Sequence, residues 1–389
     1  MTGLLQLIRP REICPLLFNK RIQDKSNRPQ ASLNCRTGTS PIVIWHDDDN
    51  DESSTISGSL TLEVTDDMVE VQSLYAILRV HIVNRKPFKK GCKGCKHNFT
   101  ELKHCNIITT ATTLNKGIYT YDLSYRVPSY LPPSMETSIV SVSYEFEAIA
   151  SLRKLGQSPT SLQTLALHRV LPVARSIPVM DTQTYSNRIY QMAGIEVGCA
   201  FDTVMNPRIK NRATFTMSGL RSSPGNSEDI HFWRVCSGTW ILEETVKSTA
   251  SACLSHCRQN KGDNTRERRK RTILGHSAFY DGWTTDDDAG TLSMDFYYSI
   301  QKSLGHYTQD TGDVGDTSVS HALVMEVQMM KEIYPNGRQD SARRTGIGRI
   351  LRSEHRVVLS DYTTLSNQIS GESLPRYQDV CTGPPVYEE

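Results

Sequence analysis

The chain has 389 residues, of which 38% are hydrophobic and 22% are charged, and its formal net charge is +2. These values indicate a globular protein with room for two domains, and they exclude a protein whose overall charge attracts nucleic acid. The apolar stretches are only of strand length and residues 1–18 are interrupted by charges, so we expect no membrane span, no signal peptide and a cytoplasmic protein. In a reducing compartment the ten cysteines should be mostly thiols.

Alternation of apolar and polar residues predicts β-strands along most of the chain from residue 58 to residue 362. The clearest period-two runs lie at 60–64, 74–83, 119–127, 140–148, 292–300 and 321–329. Long amphipathic helices are missing from the pattern. Many strands separated by turns, without regular strand–helix alternation, predict an all-β protein of two tandem antiparallel β-sandwiches.

The same pattern predicts four parts. These are an irregular N-terminal segment at 1–41, sandwiches at 42–180 and 187–362, and a disordered, flexible C-terminal tail at 363–389. The tail is rich in Ser, Asn, Gln, Gly and Pro, so it cannot bury enough apolar surface to fold alone. Two prolines in 172–186 predict a hinge there, and we interpret the acidic run 47–52 and the stretch 249–272 as solvated loops.

Two short segments concentrate positive charge. The first carries six cations and no carboxylate between residues 85 and 96: Arg85, Lys86, Lys89, Lys90, Lys93 and Lys96. The second carries five cations: Arg266, Arg268, Arg269, Lys270 and Arg271. Since aromatic residues for base stacking are missing from the second, we expect acidic peptide segments or anionic lipid headgroups as partners and no nucleic acid. Two merely solvated loops are the alternative.

Cysteine spacing raises the question of a metal. In Cys92-Lys93-Gly94-Cys95 a two-residue gap would let both thiolates reach one tetrahedral zinc ion. The nearby residues that could complete such a site are His97, His104 and Cys105, and a second loose cluster contains Cys253, His256 and Cys257. A complete zinc signature is not present, so we predict packed thiols, no metal and no other cofactor, with Cys92 and Cys95 kept as candidates.

Sequence signatures of enzymes are missing. We find no phosphate-binding glycine loop, no G-x-S-x-G, no H-E-x-x-H and no dinucleotide fingerprint. We therefore predict no catalytic residues and a protein that is not an enzyme.

Proline and tyrosine form a binding motif at the end of the sequence, Pro384-Pro385-Val386-Tyr387. Consecutive prolines favour polyproline II, so little conformational entropy is lost when a groove of the WW type binds them. The sequence therefore predicts WW-domain binding through Pro384, Pro385 and Tyr387. A weaker version with one proline fewer consists of Leu374, Pro375 and Tyr377. A proline-rich frayed end is the alternative.

Several stretches of the chain occur in a familiar order. In the first half they are Ser-Gly-Ser-Leu-Thr-Leu at 57–62, Lys-Gly-Cys-Lys-Gly-Cys-Lys at 90–96, Tyr-Leu-Pro-Pro-Ser at 130–134 and Val-Ser-Tyr-Glu-Phe-Glu-Ala at 142–148. The second half adds Asp-Gly-Trp at 281–283, Val-Ser-His-Ala-Leu at 319–323 and Thr-Gly-Ile-Gly-Arg-Ile-Leu at 345–351. Together they resemble the fungal arrestin-related trafficking adaptors, or α-arrestins, and in particular their low-dye-binding branch.

This resemblance implies two arrestin-like sandwiches and an adaptor function. Such an adaptor brings a WW-domain HECT-type ubiquitin ligase to plasma-membrane transporters, which are then ubiquitinated and endocytosed. The Pro384, Pro385 and Tyr387 motif would bind the ligase, and the two basic segments would contact acidic cytoplasmic tails of transporters or lipid. The implied location is the cytoplasm, with recruitment to the plasma membrane, the Golgi or endosomes. An arrestin-fold cargo-sorting scaffold that acts without a ligase is the alternative.

Overall fold

The structure is a computed structural model that describes residues 30–37, 41–44, 55–128, 131–154, 162–179, 183–223, 225, 228–257, 264–304, 306–311, 316–335 and 339–365. Its strands are β1 (Ala31–Thr37), β2 (Ile42–Ile44), β3 (Thr55–Asn84), β4 (His97–Ile108), β5 (Thr112–Arg126), β6 (Met135–Glu136), β7 (Val140–Lys154), β8 (Gln163–Leu171), β9 (Val173–Arg175), β10 (Ile177–Val179), β11 (Thr184–Tyr190), β12 (Ile195–Phe201), β13 (Val204–Met205), β14 (Asn211–Ser218), β15 (Arg221–Ser222), β16 (Ile230–Ser251), β17 (Thr265–Phe279), β18 (Thr284–Asp286), β19 (Thr291–Tyr298), β20 (Thr317–Tyr334), β21 (Arg343–Leu359) and β22 (Thr363–Leu365). The helices are α1 (Lys93–Lys96), α2 (Leu254–Cys257) and 3-10 turns at Lys302–Leu304 and Gln339–Ser341. Within these described ranges, no helix has the length and apolar character needed to cross a membrane.

The N-terminal sandwich is organised by β3, a single strand of 30 residues. Its first half lies between β1 and β5, and its second half lies between β4 and β7, so one long strand contributes to both layers. The register shifts between Val64 and Met68, where the strand passes from one set of partners to the other. Alternate side chains such as Leu60, Leu62 and Leu74 are fully buried and build the core.

The C-terminal sandwich has two sheets. The first has the strand order β11-β12-β14-β19-β18, and the second has the order β13-β21-β20-β16-β15 with β17 paired to β16. Both contribute to one buried cluster, as shown by Phe215 and Met294 from the first sheet and Leu323 and Met325 from the second. These core residues occupy every second position of their strands, which is the alternation from which the strands were predicted.

One short parallel strand pair and shared core residues connect the two sandwiches. β10 pairs with β22, which follows the last strand of the C-terminal sandwich, whereas β2 and β9 pair within the N-terminal sandwich. Val246 on β16 and Val319 on β20 belong to the core of the N-terminal sandwich, although their strands line the C-terminal core elsewhere. Two long strands therefore reach from one core into the other.

The prediction of an all-β fold with two antiparallel sandwiches is confirmed, but several segments differ from it. Residues 31–37 form β1 instead of an irregular segment, and 249–272 contains the end of β16 and the start of β17 instead of a loop. The expected hinge contains β9 and β10, and the first residues of the expected tail form β22. In each case backbone pairing to a neighbouring strand supplies the order that side-chain hydrophobicity alone did not indicate. The acidic run 47–52 lies outside the described residues.

Candidate functional site

The first basic segment lies in the connection between β3 and β4. All six of its cations are exposed. It ends in the single turn of α1, where the N–H of Lys96 donates to the carbonyl of Cys92 at 3.1 Å. Arg85 forms an ion pair with Glu136. The segment therefore presents its charges to solvent on a short, hydrogen-bonded turn.

The second basic segment lies on a strand, contrary to the loop predicted for it. It forms the start of β17, which runs antiparallel to the end of β16. Arg268 is half-buried, while the other four cations are exposed, and Arg271 Nη1 lies 3.4 Å from Glu243 Oε2. In the described part of the chain β17 pairs only with β16, so it is an edge strand. An edge strand can carry consecutive cations because much of it faces water.

Two cysteines of the first basic segment meet a cysteine and a histidine that follow β16. The Sγ atoms of Cys92 and Cys253 are 3.7 Å apart. The Nδ1 atom of His256 lies 3.5 Å from Cys95 Sγ and 3.2 Å from Cys253 Sγ. All four of these atoms lie within 4.8 Å of one another. We call Cys92, Cys95, Cys253 and His256 the Cys3His cluster; its three cysteines are free thiols.

Each half of the Cys3His cluster is held by one helical turn. Cys92 precedes α1 and Cys95 lies within it; Cys253 precedes α2 and His256 lies within it. The N–H of His256 donates to the carbonyl of Cys253 at 2.9 Å, which closes the second turn. Residues three apart on a helical turn point to the same side, so each turn offers two ligand atoms in one direction.

Gly94 allows the two turns to approach closely. A Cβ atom at this position would lie 3.2 Å from the Cβ of Cys253 and 3.5 Å from its Sγ. A larger side chain would push the turns apart, so we assign Gly94 a packing role in the cluster.

Hydrogen bonding and burial shift the thiol pKa values in opposite directions. The hydrogen bond from His256 lowers the pKa of Cys253 to about 6, because it favours the thiolate. Burial raises the pKa of Cys95, and the hydrogen bond that its Sγ accepts from the N–H of Cys253, at 3.5 Å, opposes that shift. The cluster therefore combines a ready thiolate, an imidazole and a sheltered thiol.

The other residues considered as metal ligands lie elsewhere. His97 Nδ1 is 3.0 Å from His81 Nε2, and the ring of His104 packs against Tyr75. Cys105 packs against the N-terminal core, and the exposed Cys257 accepts a hydrogen bond from Asn264 at 3.3 Å. Every member of the Cys3His cluster was predicted from the sequence as a candidate ligand, but in two separate groups. The pairs Cys92/Cys95 and Cys253/His256 have the same two-residue gap, and this shared spacing was the sequence signal that could have placed them in one site.

A second polar group lies at the boundary between the two cores. On β16, Glu244 lies between Leu242, which packs into the C-terminal core, and Val246, which packs into the N-terminal core. His321 has the equivalent place on β20, two residues after Val319. Both polar side chains therefore point inward where the strands pass from one core to the other.

These inward side chains form a buried ionic layer with Asp310. His321 Nδ1 lies 2.6 Å from Asp310 Oδ2, and its Nε2 lies 3.5 Å from Glu244 Oε2. Backbone N–H groups of Leu359 and Thr308 donate to these two carboxylates at 2.8 and 2.7 Å. Burial alone would lower the pKa of His321, but the hydrogen bonds and charges of Asp310 and Glu244 outweigh it and raise the pKa to about 9.

The predicted ligase-binding residues lie outside the described residues. These are Pro384, Pro385 and Tyr387 together with Leu374, Pro375 and Tyr377. Their assignment stays a prediction from the sequence.

Comparison with known proteins relates part of the chain to an arrestin-like family. Residues 73–260 match the family model described as LDB19, arrestin N-terminal-like. This segment, almost half of the chain, is therefore similar to the LDB19 group of arrestin-like proteins. The matched segment begins within β3 and ends just after α2, so it contains the whole Cys3His cluster. The two sandwiches are accordingly arrestin-like, and the relationship supports an arrestin-related trafficking adaptor.

Individual relatives match at low identity. An uncharacterised protein of Schizosaccharomyces pombe is 21% identical over 373 residues, which cover 95% of this chain and 93% of that protein. The LDB19 protein of Saccharomyces cerevisiae is 24% identical over 208 residues, which cover 47% of this chain and 24% of the relative. The LDB19 protein of Eremothecium gossypii is 22% identical over 228 residues, which cover 56% of this chain and 32% of the relative. The match thus spans about a quarter to a third of the two LDB19 proteins.

Proposed function

We propose that this arrestin-like chain recruits a WW-domain HECT-type ubiquitin ligase to plasma-membrane transporters and so promotes their ubiquitination and endocytosis. The observation that carries the proposal is the joint presence, in one chain, of arrestin-like sandwiches and the Pro384-Pro385-Val386-Tyr387 motif. The motif supplies a preorganised ligand for a WW groove, while the sandwiches supply a rigid surface for cargo. The chain works from the cytoplasm and is recruited to the plasma membrane, with the Golgi or endosomes as further sites. The ligase supplies the bond chemistry.

The cargo surface of this proposal combines the two basic segments. They are neighbours through the Cys3His cluster, because Cys92 and Cys95 belong to the first segment and Cys253 lies three residues beyond Ala250, which pairs with Arg266 of the second. Ten exposed cations and the half-buried Arg268 flank that junction, and two of the exposed cations, Arg85 and Arg271, are ion-paired. We propose that this basic surface binds acidic cytoplasmic tails of transporters, assisted by anionic lipid headgroups at the membrane.

The test of ligase recruitment is capture of the full chain by an immobilised WW-domain HECT-type ligase. We expect Tyr387→Ala to reduce capture at least about tenfold, because the tyrosine makes the specific contact in the groove. Val386→Ala is the matched control, since it changes the variable position of the motif and should leave capture unchanged. If Tyr387→Ala still binds, the double variant with Tyr377→Ala decides whether the weaker motif compensates; full capture by the double variant would refute ligase recruitment through these motifs.

A ligase-independent sorting scaffold is the second candidate. It is favoured by the place of the basic surface, which lies on the folded sandwiches and not in the segment that carries the proline motifs. Deletion of residues 370–389 separates the two functions. Continued internalisation of a bound transporter after this deletion supports the scaffold, and loss of internalisation supports the ligase adaptor.

A further inference from the structure

The spacing of the ligand atoms in the Cys3His cluster fits a single metal ion. A tetrahedral zinc ion with Zn–S bonds of about 2.3 Å and Zn–N bonds of about 2.0 Å places two sulfur atoms about 3.8 Å apart and a sulfur and a nitrogen about 3.5 Å apart. The Sγ atoms of Cys92 and Cys253 are 3.7 Å apart, and His256 Nδ1 lies 3.5 and 3.2 Å from two sulfur atoms. These three separations are therefore close to the edges of a zinc tetrahedron, and all four ligand atoms lie within 4.8 Å of one another.

The donor set points to zinc in a structural role. Three thiolates and one imidazole fill a tetrahedral shell completely, which is the composition of closed structural zinc sites and leaves no position for water or substrate. The pairs Cys92/Cys95 and Cys253/His256 each have a two-residue gap, as ligands on zinc-binding turns do. We propose that the Cys3His cluster is a structural zinc site that fastens the N-terminal sandwich to the C-terminal one.

The surroundings of the cluster support a built site. Cys95 is buried, the other three members are half-buried, and Gly94 provides the space in which the two turns meet. The N–H of Cys253 donates to Cys95 Sγ, and such contacts offset the negative charge that thiolates bring to a zinc ion. Cysteines that only pack in a protein interior need neither a glycine that lets two turns meet nor a backbone N–H directed at a sulfur atom.

A disulfide does not explain the arrangement. Bonded sulfur atoms lie about 2.05 Å apart, whereas Cys92 and Cys253 are separated by 3.7 Å. A Cys92–Cys253 disulfide would also not explain why His256 lies so close to Cys95 and Cys253. One shared ion accounts for all three distances together.

Zinc at this point would join distant parts of the chain. Cys95 and Cys253 are separated by 158 positions in sequence, and one belongs to the connection after β3 while the other follows β16. An ion held by both turns closes this long loop and restricts relative movement of the sandwiches. It also fixes the two basic segments beside each other. The metal inference rests on the cluster alone and is independent of ligase recruitment.

Metal analysis of the purified full chain tests the proposal directly. We expect about one zinc ion per chain by elemental mass spectrometry after purification without chelators. Cys95→Ser and His256→Ala should lose most of the zinc, whereas Cys257→Ser and Cys105→Ser should keep it, because those two thiols lie outside the cluster. Absence of zinc in the wild type, stoichiometric iron instead of zinc, or full zinc in Cys95→Ser would each overturn the proposal.

Cobalt substitution keeps the test decisive if a serine variant fails to fold. Co²⁺ added to metal-stripped wild-type chain should give the visible absorption of tetrahedral thiolate coordination. His256→Cys replaces the imidazole with a fourth thiolate and should bind Co²⁺ with a spectrum shifted toward four-sulfur coordination. Gly94→Val keeps every ligand but crowds Cys253, so it should weaken Co²⁺ binding. An octahedral spectrum in the wild type, or the same spectrum in wild type and His256→Cys, would refute the assigned ligand set.

Discussion

The buried ionic layer predicts a pH-dependent stability whose sign the structure fixes. His321 has a pKa of about 9 in the folded protein and an ordinary value of 6.5, so folding strengthens its hold on a proton. Its contribution to the free energy of unfolding is therefore complete below about pH 6.5 and is lost as the pH rises through about 9. The side chain is fully buried and its ring contacts both Asp310 and Glu244, so solvent screening is small.

The magnitude follows from the size of the shift. A difference of about 2.5 pKa units corresponds to about 3 kcal/mol, of which about 2 kcal/mol disappears between about pH 7 and pH 9.5. The reference is the triple variant His321→Gln, Asp310→Asn, Glu244→Gln, in which the layer carries no titrating group. Urea unfolding of both proteins across this pH range gives the difference in free energy of unfolding. Groups outside the layer, including the thiols, titrate in both proteins and cancel.

His355→Gln is the matched control. This histidine is also fully buried, but burial and the charge of Arg188 lower its pKa to about 4, so it stays neutral throughout the range. The difference between wild type and His355→Gln should therefore not change with pH. A flat or rising difference for the triple variant would contradict the assignment of a buried imidazolium between the two carboxylates.

Two further predictions concern the cargo surface and the N-terminal core. Charge reversal of Lys89, Lys90 and Lys93 to Glu should weaken binding of an acidic transporter-tail peptide about tenfold or more at low salt, as measured by fluorescence anisotropy. The same reversal at the exposed Lys116, Lys210 and Lys302 should have little effect on binding. Equal effects of the two triple variants would show that only the net charge of the chain matters. Tyr144→Phe should cost about 1–2 kcal/mol in urea unfolding, because the buried hydroxyl donates to the carbonyl of Pro132 at 2.6 Å and its loss leaves that carbonyl unpaired. The exposed Tyr185→Phe should be nearly neutral in the same assay, and a similar cost in both would contradict this reasoning.

Much of the fold could be predicted because alternation of side chains directly reports one buried face of a strand. The runs in β7, β19 and β20 show this clearly, since most of the alternate residues that face a core there are apolar. The pattern fails for β17, whose first residues are charged because an edge strand needs only one backbone partner and can face water. It also fails for β1, a seven-residue strand whose buried residues include the small Ala31 and Cys35.

The contacts between distant polar residues could not be predicted in the same way. The period-two run in β20 correctly places His321 on the inward face, but alternation reports the direction of a side chain and not its partner. Glu244 meets His321 because β16 and β20 are paired where both pass between the cores. Asp310 comes from the segment before β20 and reaches His321 from a position hydrogen-bonded to the backbone of Leu359 on β21.

The same limit applies to the Cys3His cluster. A two-residue spacing reports that two ligands share one turn, but whether two such turns meet depends on the packing of the sandwiches that carry them. Once β3 and β16 are in place, their ends bring the turns together, and two modest sequence signals become one four-ligand arrangement. The boundary between the sandwiches therefore has an ionic layer between its cores and a metal-ligand cluster between its turns. The ionic layer joins β16, β20, β21 and residues 308–310, whereas the cluster joins the turn after β3 to the turn after β16. Loss of a bound metal should therefore free the two turns but leave the ionic layer intact, so the pH dependence set by His321 should persist.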